Sequence, residues 1–477
     1  MVIPKELIRS SRAGLALVIL AVSVSKEANH LRGQTHGSAG SWKAGVARVV
    51  ITPRQSLWMA GYASRAKPSQ GTFQDLYAKA LALEDEHRKR VVIVTTDLIG
   101  LPRSIADPVA IRVHQTLGLP RGDLMLTSSH THCGPALEGS LQGMMSGANL
   151  SRKQRAAIEE YSRQLQDKIV VVVEEALKDL SPARLTFSRG EAGFGVNRRE
   201  RGPDGIHFGA DKNGVVDHDV PVLRVDSLQG RARAILFGYA CHNTALPGEF
   251  YKFSSDYAGF AQAAIEKAHA GATALFVMGC GADVDPQPNG TPELAHLHGE
   301  TLAASVERAL ATSSVPVRGP LRVAFDRFMV PFAPEPGLNE LKKQLKNPDR
   351  FRRIHARRLL ARLKREGKLP TEYPYTAQVF QFGADLTMVA LAGEVVTDYA
   401  LRLKRELGSK GLWVLSYSND VFGYIPSARV LSEGGYEAEA SVVFYDLPAP
   451  FAPAVEDTII KRVRDLVREG GRPAGGG

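Results

Sequence analysis

The stretch Ser128-Ser129-His130-Thr131-His132-Cys133-Gly134-Pro135 carries the densest chemistry in this 477-residue chain. Residues two apart point to one side of an extended chain, so His130 and His132 can converge on a single ion or substrate. They follow Asp123-Leu124-Met125-Leu126-Thr127, an apolar run that predicts a buried strand, and sites in α/β sheets form just beyond strand ends. A His-X-His pair alone reads equally well as two polar loop residues, but the arrangement recurs. The predicted strand Ala234 to Ala240 runs into His242, and Ala272 to Met278 runs into Gly279-Cys280-Gly281-Ala282-Asp283-Val284-Asp285-Pro286. Leu386 to Leu391 leads through Ala392-Gly393 to Glu394, and Trp413 to Tyr417 leads through Asn419-Asp420 to Tyr424. Imidazoles and a carboxylate at strand ends suit Zn²⁺ in a site with an open position. Such an ion draws the pKa of bound water from 15.7 to about 7 and polarises a carbonyl, so hydrolysis is the natural chemistry. Single histidines and glutamates at strand ends also serve structure, and spacing alone leaves both readings open.

The elements that must hold these residues alternate between strand and helix. A folded body is expected from Trp42, with Ala44 to Pro53 as its opening stretch. Arg90 to Asp97 reads as a strand ending in a carboxylate, and Pro108 to Leu117 as a helix with proline in its first turn. An amphipathic helix is predicted from Arg152 to Leu177, strands near Ala183–Phe187 and Val220–Val225, and a helix over Val395–Lys404. This order predicts an α/β fold, a mixed sheet core with flanking helices.

A hydrophobic content of 44% supports a large core. In residues 1–25, Lys5, Arg9 and Arg12 precede the apolar run Ala13 to Val22, too short to span a bilayer comfortably. The pattern reads as an export signal, with cleavage positions near Ser23 and Ser25, or as an uncleaved amino-terminal anchor; an exported, periplasmic or secreted protein follows. No cysteine follows the run, so no lipid anchor is expected. Residues 26–41 read as a linker, and the remaining chain has no long apolar run, which argues against an integral membrane protein. Three cysteines, Cys133, Cys241 and Cys280, cannot complete a disulfide framework. They read as small buried residues packed near a site, with a thiolate nucleophile or ligand as the alternative.

The formal charge of +10 is concentrated. Between Leu341 and Lys368 stand twelve Lys or Arg against Asp349 and Glu366, a local excess of ten charges within a basic insertion spanning residues 336–370. Leu345, Phe351, Ile354, Leu359, Leu360 and Leu363 recur there at helical spacing, predicting one or two basic amphipathic helices. Nucleic acid is a poor partner for an exported protein with one charged insertion. An anionic lipid or cell-surface polymer matches better, against the plain alternative of a solvated helix face. The Gly-rich end, residues 469–477, is expected to be disordered.

Several further pieces occur together and in order: Ala44-Gly45-Val46-Ala47 with Ile51-Thr52-Pro53 and Gly61-Tyr62-Ala63, then Asp75-Leu76-Tyr77-Ala78-Lys79-Ala80, then the His-Thr-His segment. Val196-Asn197-Arg198-Arg199, His242, Ser255-Asp256-Tyr257-Ala258-Gly259, Ala392-Gly393-Glu394, Gly423-Tyr424 and Tyr436-Glu437-Ala438 follow. By these residues the chain resembles the neutral/alkaline non-lysosomal ceramidases, zinc amidases that cleave the N-acyl bond of ceramide to sphingosine and fatty acid. The resemblance implies His130, His242, Glu394 and Tyr424 as zinc ligands, with His132 orienting a ligand or binding substrate. It also implies Tyr436 and Arg198 as donors to the amide oxygen, a role suited to a phenol and a guanidinium. The family's turn serine is replaced here by Asp285, its first glycine is changed to Ala282, and the usual Ser-Gly-Pro after the histidines reads Cys133-Gly134-Pro135. Asp285 could then serve as a general base or bind a substrate amine or hydroxyl. About 40 residues follow Tyr436, too few for the immunoglobulin-like domain that usually ends the family, so the catalytic domain alone, residues 42–468, is expected. The function implied is zinc-dependent hydrolysis of an N-acyl amide, ceramide-like lipid first. The alternatives are an amidase or esterase on another acylated substrate, or an inactive lipid-binding homologue.

Overall fold

The computed structural model describes residues 42–312 and 314–471. Residues 1–25 and 26–41, read as leader or anchor and linker, lie outside them, as do residues 472–477 of the tail. The first strands are β1 (Trp42–Val50), β2 (Tyr77–Glu84), β3 (Arg90–Thr96), β4 (Leu124–Ser128), β5 (Ser181–Glu191) and β6 (Gly195–Gly202). Next come β7 (Gly205–Asp211), β8 (Asp219–Ser227), β9 (Ala232–Tyr239), β10 (Thr273–Met278), β11 (Val284–Pro286) and β12 (Val315–Pro316). The last six are β13 (Leu321–Pro331), β14 (Glu372–Phe382), β15 (Leu386–Leu391), β16 (Glu394–Val395), β17 (Leu412–Leu415) and β18 (Tyr424–Ile425). The helices of the first part are α1 (Arg103–Leu117), α2 (Gln142–Gly147), α3 (Arg152–Lys178), α4 (Asp256–Ala268) and α5 (Pro292–Ala311). Those of the second are α6 (Leu338–Gln344), α7 (Arg350–Glu366), α8 (Thr397–Leu407), α9 (Ala428–Glu433), α10 (Val442–Tyr445) and α11 (Val455–Gly471).

Nine strands form one mixed sheet in the order β10-β9-β8-β5-β1-β2-β3-β4, with β12 added to β5. The pairs β3–β4 and β9–β10 are parallel and the rest of that path is antiparallel. A second sheet, β13-β14-β15-β17, lies against it. Trp42, Leu81, Ile93, Met125 and Leu236 of the large sheet share one buried cluster with Phe380, Met388 and Trp413 of the small one. Burial on both faces is why β3 reads as an unbroken apolar run, Val91 to Val94, rather than an alternating one. The large sheet's other face is covered by α1, α3, α4 and α5, and the small sheet's by α8 and α11, giving four layers, helix, sheet, sheet, helix. No helix among the described residues is long and apolar enough to cross a membrane.

Local chemistry explains the boundaries. The Ser151 side chain accepts from Gln154 N while Gln154 reaches back, a capping box that starts α3 at its predicted residue. Helix α1 begins five residues before the predicted Pro108, because buried Ile105 and Ala106 extend the apolar face of Val109, Ala110 and Val113 by a turn. The helix predicted from Val395 starts at Thr397 instead, since Glu394 and Val395 pair with Tyr424 and Ile425. Helix α11 runs to Gly471, three residues into the stretch assigned to the tail. The insertion forms two helices, α7 capped by the Asp349 carboxylate on Phe351 N and Arg352 N and ended by Gly367.

The large sheet coils until its edge strands β4 and β10 touch. The loops after β4 and β9 meet there: His132 N donates to Asn243 O at 3.3 Å, and Thr131 and Asn243 form an isolated bridge.

Candidate metal centre

His130 leaves β4 in a left-handed backbone conformation, φ 62°, pinned by His130 N on Leu98 O at 2.9 Å. The two imidazoles therefore do not converge through extended alternation, as the sequence predicts, but through a turn. They converge nonetheless, with Nε2 of His132 3.2 Å from Nε2 of His130. His132 packs against Gly61, where a Cβ would lie 2.7 Å from its ring. His242 enters from the loop after β9, and the three histidines' ligand nitrogens lie within 4.8 Å of one another.

Glu394 comes from the second part of the chain. Gly393, at φ 80°, makes the turn that aims it, and a Cβ there would meet Gly423 O at 2.9 Å. Glu394 and Tyr424 are direct partners in the two-residue parallel ladder of β16 and β18, so both side chains reach the same place. Glu394 Oε2 lies 3.1 Å from His130 Nε2 and 3.4 Å from His242 Nε2, and Tyr424 Oη lies 3.4 Å from His242 Nε2. All four of these side chains are buried.

The proton positions decide what this cluster is. His130 Nδ1 faces Ile99 O at 2.6 Å and His242 Nδ1 faces Gly281 O at 2.9 Å. A carbonyl only accepts, so each Nδ1 carries a hydrogen and each ring turns its Nε2 toward the Glu394 carboxylate. Two imidazole nitrogens and a carboxylate oxygen thus converge in a dry interior, the donor types that hold a divalent cation. Burial holds His242 below its ordinary pKa, helped by Arg198, and holds His132 well below, helped by His130 and His242. Burial would by itself raise the Glu394 carboxyl, but His130 and His242 outweigh it and keep it well below the usual range. The donor set fits a zinc-class ion.

Around the cluster, Arg198 is brought by β6 through its pairing with β11, in which Asp285 faces Val196. Its guanidinium donates to Tyr424 Oη at 3.0 Å, Asp285 Oδ1 at 3.3 Å and Glu437 Oε1 at 2.8 Å. Thr244 Oγ1 also donates to Asp285 Oδ1, at 3.2 Å. Tyr436 stacks edge-on against Tyr424 at 5.2 Å. Asp285, His132, Thr244 and Tyr436 are only partly buried, and the cluster reaches solvent between them.

Every site residue predicted from the sequence is thus in one neighbourhood. Sequence reasoning missed three partners. The Tyr417 hydroxyl donates to Glu394 Oε2 at 3.3 Å, the Tyr445 hydroxyl donates to Glu394 Oε1, and Glu437 ties Arg198 to Arg199. Glu437 adjoins Tyr436 in a recognised motif and Tyr417 ends a predicted strand; Tyr445 carries no sequence signal. The cysteines are free and buried, and burial pushes the Cys133 thiol up to about 12, the behaviour of packing residues rather than nucleophiles.

Four layers with a buried imidazole and carboxylate cluster between strand ends define an α/β protein with a candidate metal centre. The family model described as neutral/alkaline non-lysosomal ceramidase, N-terminal, matches residues 42–301, and the chain belongs to that family. Neutral ceramidase A of Dictyostelium discoideum is 26% identical over 302 residues, covering 58% of this chain and 40% of that protein. Neutral ceramidase of Mycobacterium tuberculosis is 26% identical over 228 residues, 46% of this chain and 34% of that one. The chain therefore spans less than half the length of these curated relatives. The crystal structure of neutral ceramidase from Pseudomonas aeruginosa superposes with a TM-score of 0.70 over 90% of this chain and 75% of that one, at 19% identity, and carries the same fold.

Proposed function

We propose that this chain is a zinc-dependent hydrolase of an N-acyl amide bond, with a ceramide-like lipid as its first substrate. The observation that carries the reading is the pair of imidazole Nε2 atoms turned on the Glu394 carboxylate. His130, His242, Glu394 and Tyr424 would hold the ion. When bound, the ion supplies an acidified water and polarises the scissile carbonyl.

The chain's own groups divide the remaining work. Ile99 O and Gly281 O fix the tautomers of His130 and His242. Tyr417 and Tyr445 hold the two oxygens of Glu394. Arg198, fixed by Glu437, and Tyr436 donate toward the amide oxygen as negative charge develops on it, where preorganised donors lower acyl-transfer barriers most. His132, neutral at pH 7 and with Nδ1 lacking a partner among the described residues, is suited to carry a proton to the departing amine. Asp285 uses Oδ1 for both of its protein contacts, leaving Oδ2 for that proton or for a substrate hydroxyl or amine.

Asp285 also favours a second reading, an amidase or esterase on a different acylated substrate, because it puts a carboxylate where the family carries a serine. The basic-then-apolar pattern of residues 1–25 supports work outside the cytoplasm. Metal analysis of the purified protein, with fatty acid release from ceramide set against other acyl amides and esters, tests the whole reading. The expected result is one zinc and ceramide turnover, both lost in His242→Ala; turnover surviving in that variant refutes the ligand set.

A further inference from the structure

The rim of the site joins the basic insertion to a row of aromatic rings of which only Tyr436 takes part in the proposed reaction. A row of aromatic rings crosses the opening: Phe208 on β7 lies 4.9 Å from Tyr436, Tyr436 lies 6.1 Å from Phe444, and Phe444 lies 5.0 Å from Phe351 at the start of α7. Next to Phe351, the Arg350 guanidinium donates to Ala63 O at 3.0 Å, in the loop whose Tyr62 packs edge-on against His132 at 4.8 Å. The basic insertion thus begins at the rim of the site.

Its cations are arranged outward. Arg350, Arg357 and Lys364 are spaced seven apart along α7, which puts them on one face, and all three are exposed. Among the described residues, Arg357, Lys364 and, on α6, Lys342 and Lys343 have no carboxylate within ion-pair distance. Of the insertion's own acids, Asp349 caps α7, Glu366 pairs with Arg362 and Arg365, and Glu340 on α6 accepts from Gln344. Two large apolar side chains stand exposed, Phe208 at the end of the aromatic row at 60% and Leu338 at the first residue of α6 at 48%. Cations alone would suit any polyanion. Cations flanking exposed apolar side chains suit a surface that is charged at its headgroups and apolar beneath them.

We propose that the α6–α7 insertion docks the protein on an anionic lipid surface, with the aromatic row turned toward the acyl region so that the site opens onto the membrane. The choice of lipid over another polyanion rests on the reading of the site as one for lipid amides. The full chain is to be sedimented with phosphatidylcholine vesicles and with vesicles in which phosphatidylserine makes up about one quarter of the lipid. Binding is expected only to the latter and to weaken with salt. Lys342→Glu, Lys343→Glu, Arg357→Glu and Lys364→Glu combined should lower vesicle partitioning about 100-fold or more, while hydrolysis of a water-soluble short-chain acyl amide stays unchanged. Leu338→Ser should lower partitioning less, without altering retention on heparin. Equal binding to both vesicle types, heparin retention without vesicle binding, or full partitioning of the charge-reversed protein overturns the proposal. Vesicle binding without any amide hydrolysis would instead sink the reading of the site, leaving the docking intact.

Discussion

The nitrogen and oxygen sides of the centre are held in different ways. The imidazoles come from the large-sheet part of the chain, and backbone carbonyls of Ile99 and Gly281 fix two of them. The oxygens of Glu394 and Tyr424 come from the part after the insertion and are held by side chains, namely Tyr417, Tyr445 and Arg198. A backbone carbonyl survives any substitution nearby, whereas a side-chain partner does not. The nitrogen side is a preformed half-site; the oxygen side is its adjustable complement, and Arg198 is the strut between the two.

That contrast can be broken most forcefully at His130. His130→Ala removes a proposed ligand whose backbone position nothing else among the described residues supplies, and zinc content and turnover should both fall about 1,000-fold or more, read by metal analysis and amide hydrolysis. Retained zinc would show that His242, Glu394 and Tyr424 suffice, and the two sides would no longer be distinguishable. Next in size is Glu437→Gln. Glu437 bridges the buried guanidiniums of Arg198 and Arg199, and losing its charge leaves them only the less buried carboxylates of Asp285 and Glu433, a cost of about 3 kcal/mol in denaturant unfolding. Arg198→Ala follows, with an expected drop of about 10²–10³ in kcat and unchanged zinc, because it removes a donor rather than a ligand. Zinc lost together with kcat would make Arg198 a structural strut alone.

Much of this was legible in the sequence where chain and chemistry run together. The apolar strands ending at His130, His242 and Glu394 are local patterns, and their ends coincide with the centre because sheets deliver residues there. The β6–β7 hairpin was not legible as strand: Asn197-Arg198-Arg199-Glu200-Arg201 is too polar to read as one, and it forms because Val284–Pro286 pairs with it from far along the chain. The same holds for β13 and β14, which pair with each other across the whole basic insertion. Tyr445 lies in a four-residue helix, α10, and reaches Glu394 only through tertiary packing, which no local pattern encodes.

The smallest effect separates the two sides by pH. In metal-free protein, burial keeps His132 and His242 below their ordinary pKa, so near pH 6 the unfolded chain binds protons at these positions that the folded chain does not. Stability then rises with pH up to about 6.5 and is lost as the pH falls below it. Glu394, held below its usual range, works in the same sense lower down: its contribution is present above about 4.5 and disappears as the pH drops through its folded value. Chelator-treated protein should therefore unfold at lower denaturant at about pH 5 than at about pH 7.5, and His242→Ala should flatten that slope more than Tyr417→Phe does. A midpoint indifferent to pH over this range would mean that the imidazoles are not held neutral, and the preformed nitrogen half-site would lose its physical basis.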